Sequence, residues 1–142
     1  MTVLDAYALV AFLLDEPAAK EVERLIRRGT TAIPVVNFAE ALDVTQRVHG
    51  VPATDLRTVV QPLLGAPVRV LPHGESSAWR AADIRLRYYD RRTSPLSLAD
   101  CLLLASVEPP DELATADPAI AAVARAEGTR LLPLPDSAGS LP

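Results

Sequence analysis

The sequence contains few of the residues on which common catalytic and cofactor sites depend. Its 142 residues include one cysteine, Cys101, which excludes an intramolecular disulfide and suits a reducing compartment such as the cytoplasm. The two histidines, His49 and His73, are too far apart for a pair of zinc ligands on one helix. The six glycines are widely separated, so no phosphate-binding glycine loop or dinucleotide fingerprint is present. A G-x-S-x-G nucleophile motif is also missing.

Long apolar runs and an excess of positive charge are missing as well. No apolar run approaches the ~20 residues that a membrane-spanning helix needs. No basic residue precedes Lys20, which argues against a signal peptide. With 14 basic and 18 acidic residues the net charge is −4, which argues weakly against nucleic-acid binding through overall charge.

Short apolar runs alternate regularly with amphipathic segments along the chain. This alternation predicts strands at 2–5, 31–36, 68–71, 112–116 and 130–134. It predicts helices at 6–14, around 18–28, and at 37–49, 54–64, 75–92, 97–107 and 118–127. In the helix at 75–92, Trp79, Ala82, Ile84 and Leu86 are predicted to be partly buried. The pattern indicates the α/β class, with a mostly parallel sheet of four to five strands covered by helices on both faces. We predict one domain over residues 1–134 and a Pro/Ser/Gly-rich tail over 135–142.

Four acids stand close to the junctions between predicted strands and helices, namely Asp5, Glu40, Asp100 and Asp117. Ligands of open α/β sheets bind at the carboxyl ends of the strands, where such side chains can converge. Clustered carboxylates repel one another, and a hard divalent cation such as Mg²⁺ relieves that repulsion. The only lysine, Lys20, lies on the charged face of a helix, so these acids have no obvious cationic partner.

Each of these acids also has a purely structural interpretation. Two pairs have capping-box spacing, namely Asn37 with Glu40 and Ser97 with Asp100. Asp5 and Asp117 can each be the N-cap of the following helix. A cap is the commoner role for any one of them, whereas the four together favour a metal site. Other acids, Glu16 and Glu127 among them, are interpreted as solvated.

Four stretches resemble the acidic motifs of the PIN domain: V-L-D-A-Y-A-L-V-A-F-L-L-D-E-P, V-V-N-F-A-E-A, L-S-L-A-D-C-L-L-L-A and L-A-T-A-D. Their order and spacing and the length of the chain are most similar to VapC-type toxins of toxin–antitoxin pairs. The resemblance extends from Val3 to about Pro133. It implies a doubly wound parallel sheet with an acidic pocket at the strand ends. It also implies an endoribonuclease that depends on Mg²⁺ or Mn²⁺ and cleaves a structured RNA such as tRNA or rRNA.

The same resemblance assigns roles to individual residues and implies partners. The metal-binding and catalytic residues it implies are Asp5, Glu40, Asp100 and Asp117. Thr115 matches a small hydroxyl residue that orients a metal ligand or a water molecule through a hydrogen bond. Position 7, often Ser or Asn in the family, is Tyr7 here, so a polar contact made there is altered. The implied partners are an antitoxin of the VapB type, an RNA substrate and a second copy of the chain in a homodimer.

A basic and aromatic segment precedes the Asp100 motif. Its candidates for contact with RNA or the antitoxin are Arg85, Arg87, Tyr88, Arg91 and Arg92. Arginine can bind phosphates, and both side-chain types can stack on bases. The alternative interpretation is a solvated helix face with partly buried tyrosines.

Two other functions are compatible with the sequence. One is a non-catalytic PIN-fold module that binds RNA or a protein partner, although all four acids are present. The other is a small Mg²⁺-dependent phosphatase. That function is disfavoured because Tyr7 stands where such an enzyme has a second aspartate and because no lysine lies near the acids.

Overall fold

The computed structural model describes residues 1–142 as a five-stranded parallel sheet between two layers of helices. The strands are β1 (Thr2–Leu4), β2 (Thr31–Pro34), β3 (Val68–Leu71), β4 (Glu112–Thr115) and β5 (Arg130–Pro133). The helices are α1 (Ala6–Leu13), α2 (Ala19–Arg27), α3 (Val35–Asp43), α4 (Ala53–Val60), α5 (Glu75–Tyr88), α6 (Leu98–Ala105) and α7 (Pro118–Ala126). A π-helical turn, Val44–Val48, extends α3, and a 3₁₀ turn, Gln61–Leu63, extends α4. The predicted α/β fold with a doubly wound parallel sheet is confirmed.

The strand order is β3-β2-β1-β4-β5, which places β1 at the centre of the sheet. Thr2 of β1 is paired with Thr31 of β2 on one side and with Glu112 of β4 on the other. The chain runs outward from β1 to β3 and then crosses back to β4 and β5. The order therefore reverses between β1 and β4, which is the position where open α/β sheets bind their ligands.

Alternate residues of the central strands face two separate hydrophobic cores. Leu4 and Ala114 pack with α1, α2 and α3 on one face of the sheet. Val3 and Leu113 pack with α5, α6 and α7 on the other face. Because both faces are covered, the inner positions of β1, β2 and β4 are apolar on both sides of the sheet and do not alternate with polar residues.

Helix α3 begins two residues earlier than the sequence predicts. Its N-cap is Pro34, which has extended backbone angles and makes no side-chain capping bond. Val35 and Val36, apolar residues predicted to end the strand, form the first turn of the helix. The predicted capping box of Asn37 and Glu40 is therefore wrong, because both residues lie inside the helix.

Helix α5 ends at Tyr88, four residues before the predicted end. The carboxylate of Asp90 accepts bonds from the amides of Arg92 and Thr93, both 2.8 Å, and closes a turn in place of further helix. The predicted partial burial of Trp79, Ala82 and Leu86 is wrong, because Ala82 is exposed and the other two side chains are 72% and 85% exposed, whereas Ile84 is buried. Ile84 and Ala81 form the buried face of the helix.

The helices are too short to cross a bilayer, since α5, with 14 residues, is the longest of them. After β5, Leu134 is buried in the core of α1, α2 and α3. Asp136 then accepts bonds from the amides of Ala138 and Ser140, which form a turn in the last segment.

Candidate active site

Asp5 lies at the centre of the carboxyl edge of the sheet, where β1 passes into α1. Its amide donates to the carbonyl of Ala114 in β4, and its Oδ1 caps α1 by accepting a 2.6 Å bond from the amide of Ala8. The residue is 3% exposed. Burial raises the pKa of Asp5 to about 6, although the Thr115 hydroxyl and the Ala8 amide offset part of this rise.

Thr115 and Asp117 lie beside Asp5 at the end of β4. Thr115 is fully buried, and its Oγ1 accepts a 3.0 Å bond from the amide of Asp117. Asp117 caps α7, where its Oδ1 accepts bonds from the amides of Ala119 and Ile120 at 2.7 and 3.0 Å. The charge of Asp117 contributes to the raised pKa of Asp5, so these two carboxylates are close neighbours.

Asp100 is held at the start of α6 by the predicted capping box. The amide of Ser97 donates to Asp100 Oδ2 at 2.7 Å, and the amide of Asp100 donates to Ser97 Oγ at 3.1 Å. Both halves of the box fix the position of the carboxylate relative to the helix axis.

Glu40 projects from the second turn of α3 towards Asp100. Partial burial raises its pKa first, and repulsion from Asp100 and then Asp43 raises it further. Asn37, one turn earlier on α3, is 1% exposed, and its Oδ1 has no hydrogen-bond partner.

The four acids form two neighbouring like-charged pairs, Asp5 with Asp117 and Glu40 with Asp100. None of them forms a salt bridge, although other acids form seven along the chain, among them that of Asp43 with Arg47. The carboxyl edge is therefore a concentration of negative charge without a protein cation.

The carboxylates suit Mg²⁺ or Mn²⁺ chemically, because both ions prefer oxygen ligands. However, no three acidic, histidine or cysteine side chains are arranged to hold one metal ion. One oxygen each of Asp5, Asp100 and Asp117 is bonded to backbone amides at a helix start.

Three of the five predicted RNA-contact residues are engaged within the protein. Arg87 pairs with Asp83 and Glu127, and the Tyr88 hydroxyl donates to Glu127 at 2.6 Å. Arg85 donates to the carbonyl of Leu96 at 2.6 Å and lies over the ring of Tyr89. The prediction that Glu127 is simply solvated is wrong, since it joins α7 to α5.

Arg91 and Arg92 differ from those three residues. They lie in the turn after α5, are exposed, and their guanidinium groups form no hydrogen bond or salt bridge. The turn leads directly to Ser97 and thus to Asp100. These two side chains are the unengaged cations of the predicted segment.

Two further polar residues border the acidic edge. Tyr7 in α1 and Glu16 after α1 line a groove that also includes Glu40. Tyr7 Oη and Glu16 Oε2 are buried, and neither has a well-aligned hydrogen-bond partner outside this pair. Burial is the main cause of the raised pKa of Tyr7, and the interaction of its hydroxyl with the Glu16 carboxylate raises it further. The predicted solvated state of Glu16 is therefore wrong. The departure from the family pattern at position 7 was the only sign of this pair in the sequence.

Solved structures with a similar fold include the following three. A toxin–antitoxin complex from Klebsiella pneumoniae gives a TM-score of 0.58 at 18% identity, over 82% of this chain and 87% of the other. VapBC2 from Rickettsia felis, bound to a DNA fragment from its promoter, gives 0.63 at 13% identity, over 92% and 96%. FitAcB from Neisseria gonorrhoeae gives 0.62 at 19% identity, over 93% and 96%.

A comparison with curated proteins gives no match in sequence. The family model described as PIN domain matches residues 2–126, which include all four acids of the carboxyl edge. The strand order, the acidic edge and this match agree, and the chain belongs to the PIN-domain family.

Proposed function

We propose that this protein is a metal-dependent endoribonuclease that hydrolyses phosphodiester bonds in RNA, with tRNA or rRNA as its substrate. The observation that carries the proposal is the buried carboxylate of Asp5, which has no salt-bridge partner and lies beside Asp117 where the strand order reverses. Membership of the PIN-domain family supports a nuclease. Metal-dependent hydrolysis of a phosphodiester needs acids that hold the ion, and this edge of the sheet concentrates them.

We infer that Asp5, Glu40, Asp100 and Asp117 hold Mg²⁺ or Mn²⁺. When bound, such an ion supplies an activated water molecule and neutralises charge on the phosphate. The chain's own contribution is to position the carboxylates. The rigid starts of α1, α6 and α7 hold Asp5, Asp100 and Asp117, and Thr115 supports Asp5 from inside the sheet.

We assign contact with the RNA backbone to Arg91 and Arg92. Their guanidinium groups are free, and the turn that carries them leads to the Asp100 helix. Arg85, Arg87 and Tyr88 instead stabilise α5 against its neighbours. These two free cations offer the local phosphate contacts that a protein of net charge −4 needs.

The toxin role is part of the same proposal. Two of the similar structures are a toxin–antitoxin complex and VapBC2, which supports an antitoxin of the VapB type as the partner of this chain. We expect a homodimer that acts in the cytoplasm. Growth arrest on expression, relieved by co-expression of a small protein encoded just upstream, tests this role separately from the chemistry.

The nuclease is tested by incubating the protein with bulk tRNA and rRNA in Mg²⁺, in Mn²⁺ and in EDTA. We expect cleavage only with metal, and its loss in Asp5→Asn and Asp100→Asn. Glu108→Gln is the matched control, because it removes one negative charge before β4, at the opposite edge of the sheet. In parallel, Mg²⁺ or Mn²⁺ should raise the melting temperature of the wild type and of Glu108→Gln but not of Asp5→Asn.

A non-catalytic module that binds RNA or a protein is the second candidate. It is favoured by the engagement of three of the acids as helix caps and by the absence of three side chains arranged around one ion. Intact RNA that binds the protein, together with no thermal shift in Mg²⁺ or Mn²⁺, would establish this function and exclude the nuclease.

A further inference from the structure

Helix α5 has apolar side chains on two faces, and the protein covers only one of them. Ala81 and Ile84 face the core. On the opposite side, Trp79 and Leu86 are 72% and 85% exposed, although both side-chain types gain much from burial. Together with the exposed Ala82 between them they form what we call the outer stripe of α5. A helix that is apolar on two sides is typical of one that packs against two neighbours.

The spacing of the outer stripe is that of a helix–helix contact. Trp79, Ala82 and Leu86 follow one another at intervals of four and three residues, and Tyr89, 44% exposed directly after the helix, continues the series. Such a series runs along one side of a helix, where the side chains of a second helix can interdigitate with it. Because Ala82 is small, a second helix can approach closely at the middle of the stripe.

The middle of the outer stripe carries no charge that lacks a partner. At its margin, Asp83 is paired with Arg87 of the same helix at 2.8 Å. Arg85 donates to the carbonyl of Leu96 at 2.6 Å. The stripe therefore offers no free cation to an RNA phosphate and no free charge to a charged peptide. It is complementary to another helix face that is apolar and neutral.

The two ends of the outer stripe carry unpaired charges of opposite sign. Glu75, in the first turn of α5, forms no salt bridge and accepts only a 3.3 Å bond from Trp79 Nε1. At the other end, the turn after α5 carries the exposed Arg91 and Arg92, which outnumber Asp90 in the same turn. Two such helices in antiparallel orientation bring Glu75 of each copy to the arginines of the other, and their dipoles also attract one another.

From this self-complementarity we propose that the outer stripe of α5 is the contact between two copies of this chain, packed antiparallel about a two-fold axis near Ala82. Trp79 of one copy then lies against Leu86 of the other, and the two-fold axis repeats this contact. The proposal rests on the homodimer expected above and assigns its interface, and it requires neither metal nor RNA. One cation neutralises Glu75 of the second copy, so two neighbouring arginines allow this contact and contact with the RNA backbone.

The size of the outer stripe determines the affinity that we expect. A helix of 14 residues is about 21 Å long, and one face of it is smaller than the ~800 Å² that each partner buries in a typical stable complex. We therefore expect a reversible dimer that dissociates on dilution in the micromolar range.

The test is sedimentation velocity of the full chain in EDTA, without RNA, at concentrations from about 1 to 500 μM. The sedimentation coefficient of the wild type should rise from that of a monomer to that of a dimer. Leu86→Gln should weaken the association by about tenfold or more, because it removes an apolar anchor from the centre of the contact. Leu141→Gln is the matched control, since Leu141 is a 65% exposed leucine outside α5, and its association should equal that of the wild type.

The charge at the start of α5 tests the orientation. In the antiparallel arrangement Glu75→Gln should weaken the association several-fold at low salt, and high salt should abolish the difference. In a parallel arrangement the same variant would strengthen the association, because two Glu75 carboxylates would no longer repel each other. Asp55→Asn is the matched control, because Asp55 is an acid without a salt bridge in the first turn of α4.

Four results would overturn the proposal in different ways. A wild type that stays monomeric over the whole range would overturn both the contact and the homodimer, and it would leave the proposed nuclease standing. A dimer that Leu86→Gln does not weaken, or that Leu141→Gln weakens equally, would overturn the outer stripe as its interface. Tighter association of Glu75→Gln would overturn the antiparallel packing. A monomeric wild type that binds the small protein encoded upstream, with loss of this binding in Leu86→Gln, would assign the stripe to that protein instead.

Discussion

The amide of Asp117 donates to the hydroxyl oxygen of Thr115 at 3.0 Å, and the same hydroxyl lowers the pKa of the neighbouring Asp5. One buried side chain thus links the ends of β1 and β4. Its oxygen accepts from the loop that carries Asp117, which leaves its proton for the Asp5 carboxylate. The two acids are positioned by the sheet and by this hydroxyl together.

Replacing Thr115 with valine removes the hydroxyl and keeps the shape of the side chain. We expect the pKa of Asp5 to rise above its value of about 6, because burial is then opposed by fewer hydrogen bonds. Proposed RNA cleavage at neutral pH should fall by about tenfold or more, as for other residues that orient metal ligands. The pKa is measured by NMR titration of metal-free protein, with Thr115→Ser as the control. An unchanged pKa in Thr115→Val would contradict the role of the hydroxyl.

Asp5→Asn should stabilise the metal-free protein at neutral pH. The folded pKa of Asp5, about 6, lies above its ordinary value of 3.8, so the ionised carboxylate destabilises the folded state above pH 6. That cost disappears as the pH falls from 6 towards 4, where the unfolded chain also becomes protonated. The shift corresponds to about 3 kcal/mol at pH 7. Asparagine keeps the oxygen that caps α1.

The measurement for Asp5→Asn is urea unfolding in EDTA at pH 7 and pH 4. The free energy of unfolding of Asp5→Asn should exceed that of the wild type at pH 7 and equal it near pH 4. The free energy of unfolding of Glu108→Gln should equal that of the wild type at both pH values. A loss of stability in Asp5→Asn at pH 7 would show that the carboxylate charge favours the folded state.

Ser97→Ala should weaken both the fold and the proposed activity. It removes the acceptor for the Asp100 amide and half of the box that holds the carboxylate. The loss of such a cap costs about 1 kcal/mol in the free energy of unfolding. Ser97→Thr retains the acceptor and should restore stability and RNA cleavage together. Full cleavage by Ser97→Ala would mean that the capping box does not position Asp100.

Arg91→Ala combined with Arg92→Ala should weaken RNA binding without loss of stability, because neither side chain has a partner in the fold. The magnitude of the slope of log affinity against log salt concentration should decrease by about one to two, because each arginine accounts for one phosphate contact. Arg87→Ala is the comparison: it should destabilise the contact of α5 with α7 and leave the salt slope unchanged. Anisotropy titrations of a tRNA at several salt concentrations distinguish the two effects.

Local interactions explain which features were predictable. The caps by Asp5 and Asp117 and the box of Ser97 with Asp100 depend on neighbours within three residues, and all three are present. The Asn37–Glu40 box failed although its spacing was the same. Pro34 has the extended backbone that an N-cap needs, so α3 begins at Val35 and Asn37 lies inside the helix, where it cannot be the N-cap.

Contacts between distant segments account for most other errors. Glu127 is paired because α7 packs beside α5, and Glu16 is half-buried beside Tyr7 in the groove that both residues line. Trp79, Ile84 and Leu86 fitted one predicted apolar stripe, but α5 buries Ile84 together with Ala81 and leaves the other two exposed. Helical periodicity gives the spacing of a buried face and does not decide between two competing stripes.

The sequence by itself determined the α/β class, the parallel sheet and the four acids at its carboxyl edge, because apolar runs and strand-end positions are local patterns. Tertiary structure alone decided which acids are neighbours, since β1 lies against β4 only after the crossover through α5 and α6. It also decided that Arg87 is engaged while Arg91 and Arg92 are free, and that Tyr7 and Glu16 share a groove. Burial and charge repulsion at these positions arise from packing between segments that are remote in the chain, so no local pattern encodes them.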